Sequence, residues 1–138
     1  MGFSEINWLA VIACVVVSMI SGSIWYNPKT FFPTWWKGIG KTEGDAPGSG
    51  SSMAMTWGLT VLASLVQAVF MSLMVTAMGS TTLVSGATTG FWLWLGFIAP
   101  TYLVNKLFAG HGLKIWAIEA GNHLVNFVLF GAILGAWR

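Results

Sequence analysis

Four runs of this chain, at about residues 7–26, 53–78, 83–106 and 113–137, are apolar over lengths that reach or exceed the roughly 20 residues a helix needs to cross a bilayer. No soluble fold hides four such segments without a polar shell, and this chain has almost none. Only 7% of its 138 residues are charged and 56% are hydrophobic, against about a quarter charged in an average soluble domain. The length allows one domain. The expected architecture is therefore all-α, an integral membrane bundle of four transmembrane helices.

The same scarcity of charge excludes several function classes. The net charge is +2, but the six basic residues are scattered, whereas nucleic-acid binders gather theirs on one face. Cys14 is the only cysteine and sits within the first apolar run, so neither a disulfide framework nor a metal-binding spacing exists. A buried, inert thiol is expected there. Ser21-Gly22-Ser23 resembles a signal-cleavage site, yet the only charge before the first run is Glu5. A secretory leader carries positive charge at that point, so a retained first helix is expected.

Aromatic residues and proline set the ends of the first span. Trp8 marks one interface and Trp25 and Tyr26 the other, as aromatic belts do. Pro28 stops the helix, because the residue before proline is pushed out of the α region. Ser18 and Gly22 form a small-residue pair for close helix packing. Beyond it, Phe31, Phe32, Trp35 and Trp36 interleave with Lys29, Lys37 and Lys41, the composition of a short helix lying on lipid headgroups. Pro33 suits its first turn. The Gly-, Ser- and Pro-rich stretch at 42–52 reads as an exposed loop.

The middle spans carry packing signals. Gln67 is the strongly polar residue of the second span, with Ser64 one turn earlier, and both are expected to face inward. Gly79 to Thr82 make a turn so tight that the third span must run antiparallel to the second. The third span opens with Gly86 and Gly90, and Pro100 is expected to kink it by clashing with the carbonyl of Gly96. Trp92 and Trp94 point to different faces. A gapped echo joins Tyr26-Asn27-x-Lys29 to Tyr102-x-x-Asn105-Lys106. The fourth span ends with the pair Gly131 and Gly135.

In the first half of that fourth span lie Glu119, Asn122, His123 and Asn126, at offsets that place all four on one side of a helix. A central charge in hydrocarbon costs roughly 2.5–3.5 kcal/mol even on lenient scales, so this stripe must face other helices or a wet cavity. An imidazole can change protonation in the physiological range. Glu119 is one turn from His123, within reach of a hydrogen-bonded acid–imidazole pair. With Gln67 as added lining, the stripe reads as a proton or small-solute path. The favoured reading is polar glue between helices, since each group needs a partner whether or not it has a task. Haem ligation would need a second histidine opposite His123, and His111 lies in a loop instead. Zinc catalysis would need three protein ligands. No Ser/His/Asp elbow or phosphate-binding glycine loop occurs either, so no cofactor, metal or enzymatic activity is expected.

Charge asymmetry gives an orientation. Lys29, Lys37, Lys41, Lys106 and Lys114 fall in the first and third connections, while Arg138 alone lies on the other side. The positive-inside rule then places both connections in the cytoplasm of a bacterial-type inner membrane and both termini outside. His111 is expected to face cytoplasmic solvent.

Asn7-Trp8-Leu9-Ala10, Trp25-Tyr26-x-Pro28 and Trp94-x-Gly96-Phe97-x-x-Pro100 together resemble a bacterial and fungal membrane family called domain of unknown function 1761. Asn105 and Gly121-x-His123-Leu124 continue the likeness, which covers the chain apart from the Gly/Ser loop. The resemblance implies a small polytopic membrane protein and passes on no catalytic residue. The small-residue pairs point to lipid as environment and to a homo-oligomer or a larger membrane complex. A structural or accessory bundle is the expected function, and a proton-coupled or small-solute permeation protein the alternative. A cofactor-binding membrane enzyme is the third.

Overall fold

The computed structural model describes residues 2–42 and 53–137. The loop expected at 42–52 lies, from residue 43 onward, outside the described residues. Four helical spans are long and apolar enough to cross a membrane, and no strand occurs among the described residues.

A 3-10 turn at Phe3–Glu5 precedes α1, Trp8–Trp25. Asn7 caps α1 by accepting from the Ala10 amide at 3.2 Å. Its side-chain nitrogen donates to the Trp137 carbonyl at 3.3 Å, so the two ends of the chain meet. Past Trp25 the helix stops before Pro28, and the Thr30 hydroxyl lies 2.6 and 3.1 Å from the Ile24 and Trp25 carbonyls, which also accept from the Asn27 and Phe31 amides. The short α2 follows at Phe32–Gly38, with Pro33 in its first turn as the sequence implies.

Met53–Ala77 forms α3. The chain reverses at Gly79, whose φ of 68° suits glycine, and Thr82 opens α4, Leu83–Leu93, through a reciprocal capping box with Ser85. The third span then changes its winding ahead of Pro100 and continues. Residues Trp94–Ile98 form one π-turn, in which the Ala99 amide reaches back to the Trp94 carbonyl, and α5 continues over Ala99–Phe108. Pro100, in the first turn of α5, has no amide hydrogen to give to Gly96. Widening the preceding turn lets the helix pass the proline ring without ending. Gly110 and Gly112, at φ 78° and 86°, turn the chain into α6, Gly112–Ala136.

The last helix is the hub. It touches each of the other five helices, and 44% of its apolar window is buried, against 22% to 33% in the other spans. Three pairs set its direction against α1: Asn7 with Trp137, Ser21 with Asn122 and Trp25 with Ile118. The two helices are antiparallel. Against α4 the approach is closest. A Cβ on Gly86 would overlap the Gly131 carbonyl, and one on Gly90 the Phe127 carbonyl. One on Gly135 would strike the Thr82 carbonyl. The two glycine pairs read separately in the sequence are two halves of one contact.

Gly22 behaves differently, since a Cβ there would meet nothing within 4 Å. Its expected partner in packing, Ser18, does turn inward and shares a hydrogen bond of 2.5 Å with Ser64 of α3. The Ser18 hydroxyl also donates to the Val15 carbonyl at 2.7 Å, which makes Ser64 the donor to Ser18.

At the end holding both termini, Val11, Cys14, Val75, Phe130 and Leu134 are fully buried in an apolar core. At the opposite end, beneath α2, Trp36 and the Lys106–Glu119 pair are enclosed, and Ile115 and Ile118 are buried with them.

Candidate functional site

The stripe on α6 is where these polar groups gather. Successive residues of a helix are about 100° apart, so Glu119, Asn122, His123 and Asn126 spread over an arc of about 100°. His123 lies at one edge and Asn122 at the other. That width exceeds one neighbour, and the structure divides the stripe accordingly.

Glu119 faces α2 and α5. Its Oε1 is 2.9 Å from Lys106 Nζ of α5, and both side chains are 13% exposed. The Trp35 indole of α2 donates to the other oxygen at 2.8 Å. An ammonium and an indole N–H thus satisfy both carboxylate oxygens, which is the condition for keeping the charge in an enclosed place. Trp35 is placed by an edge contact with Tyr26 and by tilted contacts with Phe32 and Trp36. Burial first, and the nearby Glu119 charge second, push the Tyr26 phenol above its ordinary range.

His123 turns toward α5 as well. Its Nε2 is 2.9 Å from the Tyr102 hydroxyl, with the rings 5.0 Å apart. The acid–imidazole bond that the one-turn spacing allows does not form. Each group finds a closer-fitting partner on a neighbouring helix, Lys106 for the carboxylate and Tyr102 for the ring. Asn122, at the far edge of the arc, instead donates to Ser21 of α1 at 3.0 Å. Asn126 is 7% exposed and its Oδ1 has no partner. The His123 Nδ1 is likewise buried without one.

Gln67 does not join this group. It lies half-buried on α3 and makes no hydrogen bond to any described residue, while Ser64, the other polar group of that helix turn, is buried against Ser18. His111, expected in solvent, is half-buried with its Nδ1 enclosed.

Tryptophan is the feature the sequence hid best. Trp25, expected at a membrane interface, donates inward to the Ile118 carbonyl at 2.7 Å. Trp94 donates to the Ala120 carbonyl at 2.8 Å, and Trp116 of α6 to the Ala99 carbonyl at 2.9 Å. With Trp35 on Glu119, four indoles tie helices together around one level of α6. Trp36 is also turned in, 8% exposed, and donates to the Thr42 carbonyl. Trp92 faces outward, 61% exposed, as its different face requires.

Lys106, Tyr102 and Ser21 complete the cluster; the sequence pointed to them only for orientation, for the echo and for a leader-like site, and not as partners of the stripe. The signals were there: an acid and a base near facing ends of consecutive helices, and the Tyr26/Tyr102 echo. Two surface grooves lie nearby. One, of about 290 Å³, runs between α1 and α6 past Ser21, Val125 and Leu129. The other, of about 360 Å³, lies between Thr34, Phe31 and Lys114. Neither is lined by Glu119, Asn122, His123 or Asn126. Among the described residues no three His, Cys, Asp or Glu groups are placed to hold a metal ion.

The family described as Protein of unknown function (DUF1761) matches residues 9–135. The chain belongs to that family. The match runs from the second residue of α1 to the last residue but one of α6, so every member of the polar cluster falls inside the DUF1761 region. No curated protein and no solved structure matches the chain.

Proposed function

We propose that this DUF1761 protein is a structural or accessory bundle of the membrane that also associates with itself, and that its intramembrane polar groups hold helices in register. The carrying observation is the division of the stripe. Glu119 is held by α5 and α2, His123 by α5 and Asn122 by α1. Polarity spent on three different neighbours leaves no continuous polar face for a solute. Interhelical hydrogen bonds in membranes contribute about 0.6–2 kcal/mol each, so the set supports a rigid module. The test is paired. Purified protein reconstituted in vesicles carries no flux under a pH gradient, and Glu119→Gln lowers the thermal unfolding midpoint. A pH-driven flux that Glu119→Gln abolishes without loss of stability would reject this reading.

The second reading is a proton relay, favoured by one observation. The Tyr102–His123 bond leaves His123 Nδ1 buried and unpartnered, one helical turn from the Lys106–Glu119 pair. A relay predicts proton flux that falls in both His123→Ala and Tyr102→Phe.

A further inference from the structure

Gln67 poses a problem that this chain alone does not solve. It is the fifteenth residue of a 25-residue helix, so at about 1.5 Å per residue it lies some 15 Å from the C-terminal end of α3. That depth is hydrocarbon if α3 spans a bilayer about 30 Å thick. A primary amide there has two donors and an acceptor to satisfy, and Gln67 bonds to no described residue.

The residues in line with it form a seam. Thr56, Thr60, Ala63, Gln67, Phe70 and Met74 follow one another at intervals of four and three, the spacing that keeps one line of side chains against a parallel partner helix. All six are exposed or half-buried, and Phe70 is 57% exposed. The buried line of α3, through Ser64, Ala68, Met71 and Val75, is already occupied by the chain's own helices.

We infer that α3 is the dimerisation helix, pairing in parallel with α3 of a second copy, with the two Gln67 amides bonded to each other across the two-fold axis. Two copies inserted the same way bring identical positions together at that axis. An amide is its own complement, donating through nitrogen and accepting through oxygen, so a second copy satisfies both ends of the deficit. A polar residue at one seam position also fixes the register, and the small Thr60 and Ala63 let the helices come close on one side of it. This rests on the reading of the chain as self-associating and names the surface that does it.

The experiment is oxidative cross-linking of the full chain in vesicles. Cys14 is fully buried and serves as the internal blank. Gln67→Cys and Ala63→Cys are expected to give disulfide dimers, and Val66→Cys, off the seam, to give several-fold less. Gln67→Leu, which removes no bond within the monomer, is expected to leave the unfolding midpoint unchanged and weaken dimerisation by about tenfold. Dimers that cross-link at Val66 and not at Gln67 overturn the seam and leave self-association standing. A protein that stays monomeric in the membrane overturns both.

Discussion

Glu119 shows how one side chain sets the chemistry around it. An ionised carboxylate enclosed in the bundle must be paired, and Lys106 and Trp35 do so from two other helices. Removing one partner strands the other. Lys106→Met is expected to destabilise the protein by about 3 kcal/mol, while Lys106→Met with Glu119→Leu recovers much of that loss; thermal unfolding in detergent reads both. Tyr26 adds a pH dependence. Its phenol is held above its ordinary value of 10.0 by burial and by Glu119, so folding favours the neutral form. The resulting stability is fully present below that value and is lost as pH rises beyond it. Tyr26→Phe is expected to blunt the alkaline loss, measured as unfolding midpoint against pH between 9 and about 12. Much of this was legible: the stripe, its four residues and the need for partners follow from spacing and cost. The identity of the partners did not. Helix spacing lists which groups leave a helix together, and the neighbours' positions are a long-range matter.

At the scale of the element, the glycines divide into those that touch and those that do not. Gly86→Ala puts a methyl group into the Gly131 carbonyl and is expected to cost about 1–3 kcal/mol through forced separation of α4 and α6. Gly22→Ala meets open space and is expected to be neutral or to stabilise by up to about 1 kcal/mol, because alanine restricts the unfolded chain and favours helix. Unfolding midpoints of the two variants, taken side by side, check the assignment. In the sequence the two sites look alike, each a small-residue pair four apart. Contact separates them, since only α4 lies against a helix that carries glycines at the matching levels. The interrupted third span was legible for the opposite reason. A proline lacking a donor perturbs its own turn wherever the helix lies, although the form of the response, a π-turn over Trp94–Ile98, depended on keeping α5 against α6.

The whole molecule, among the described residues, is a hub helix with five others around it, and the hub carries its polar stripe in the half nearer α2. If all four apolar helices cross the bilayer, both termini fall on one side, and the lysine count of the connections predicts that side to be extracytoplasmic. Reporter fusions at the two ends are expected to give the same, extracytoplasmic, signal; opposite signals would contradict the arrangement. By itself the sequence determined what is local and cheap to state in free energy. It set four apolar helices, their proline and glycine stops, and a polar stripe on α6 that could not face lipid. Only the tertiary structure decided that the stripe splits among three helices, that tryptophans expected at interfaces turn in to hold backbone carbonyls, and that Gln67 is left over. Those outcomes depend on which helix lies beside which, and no period along a single chain encodes that choice.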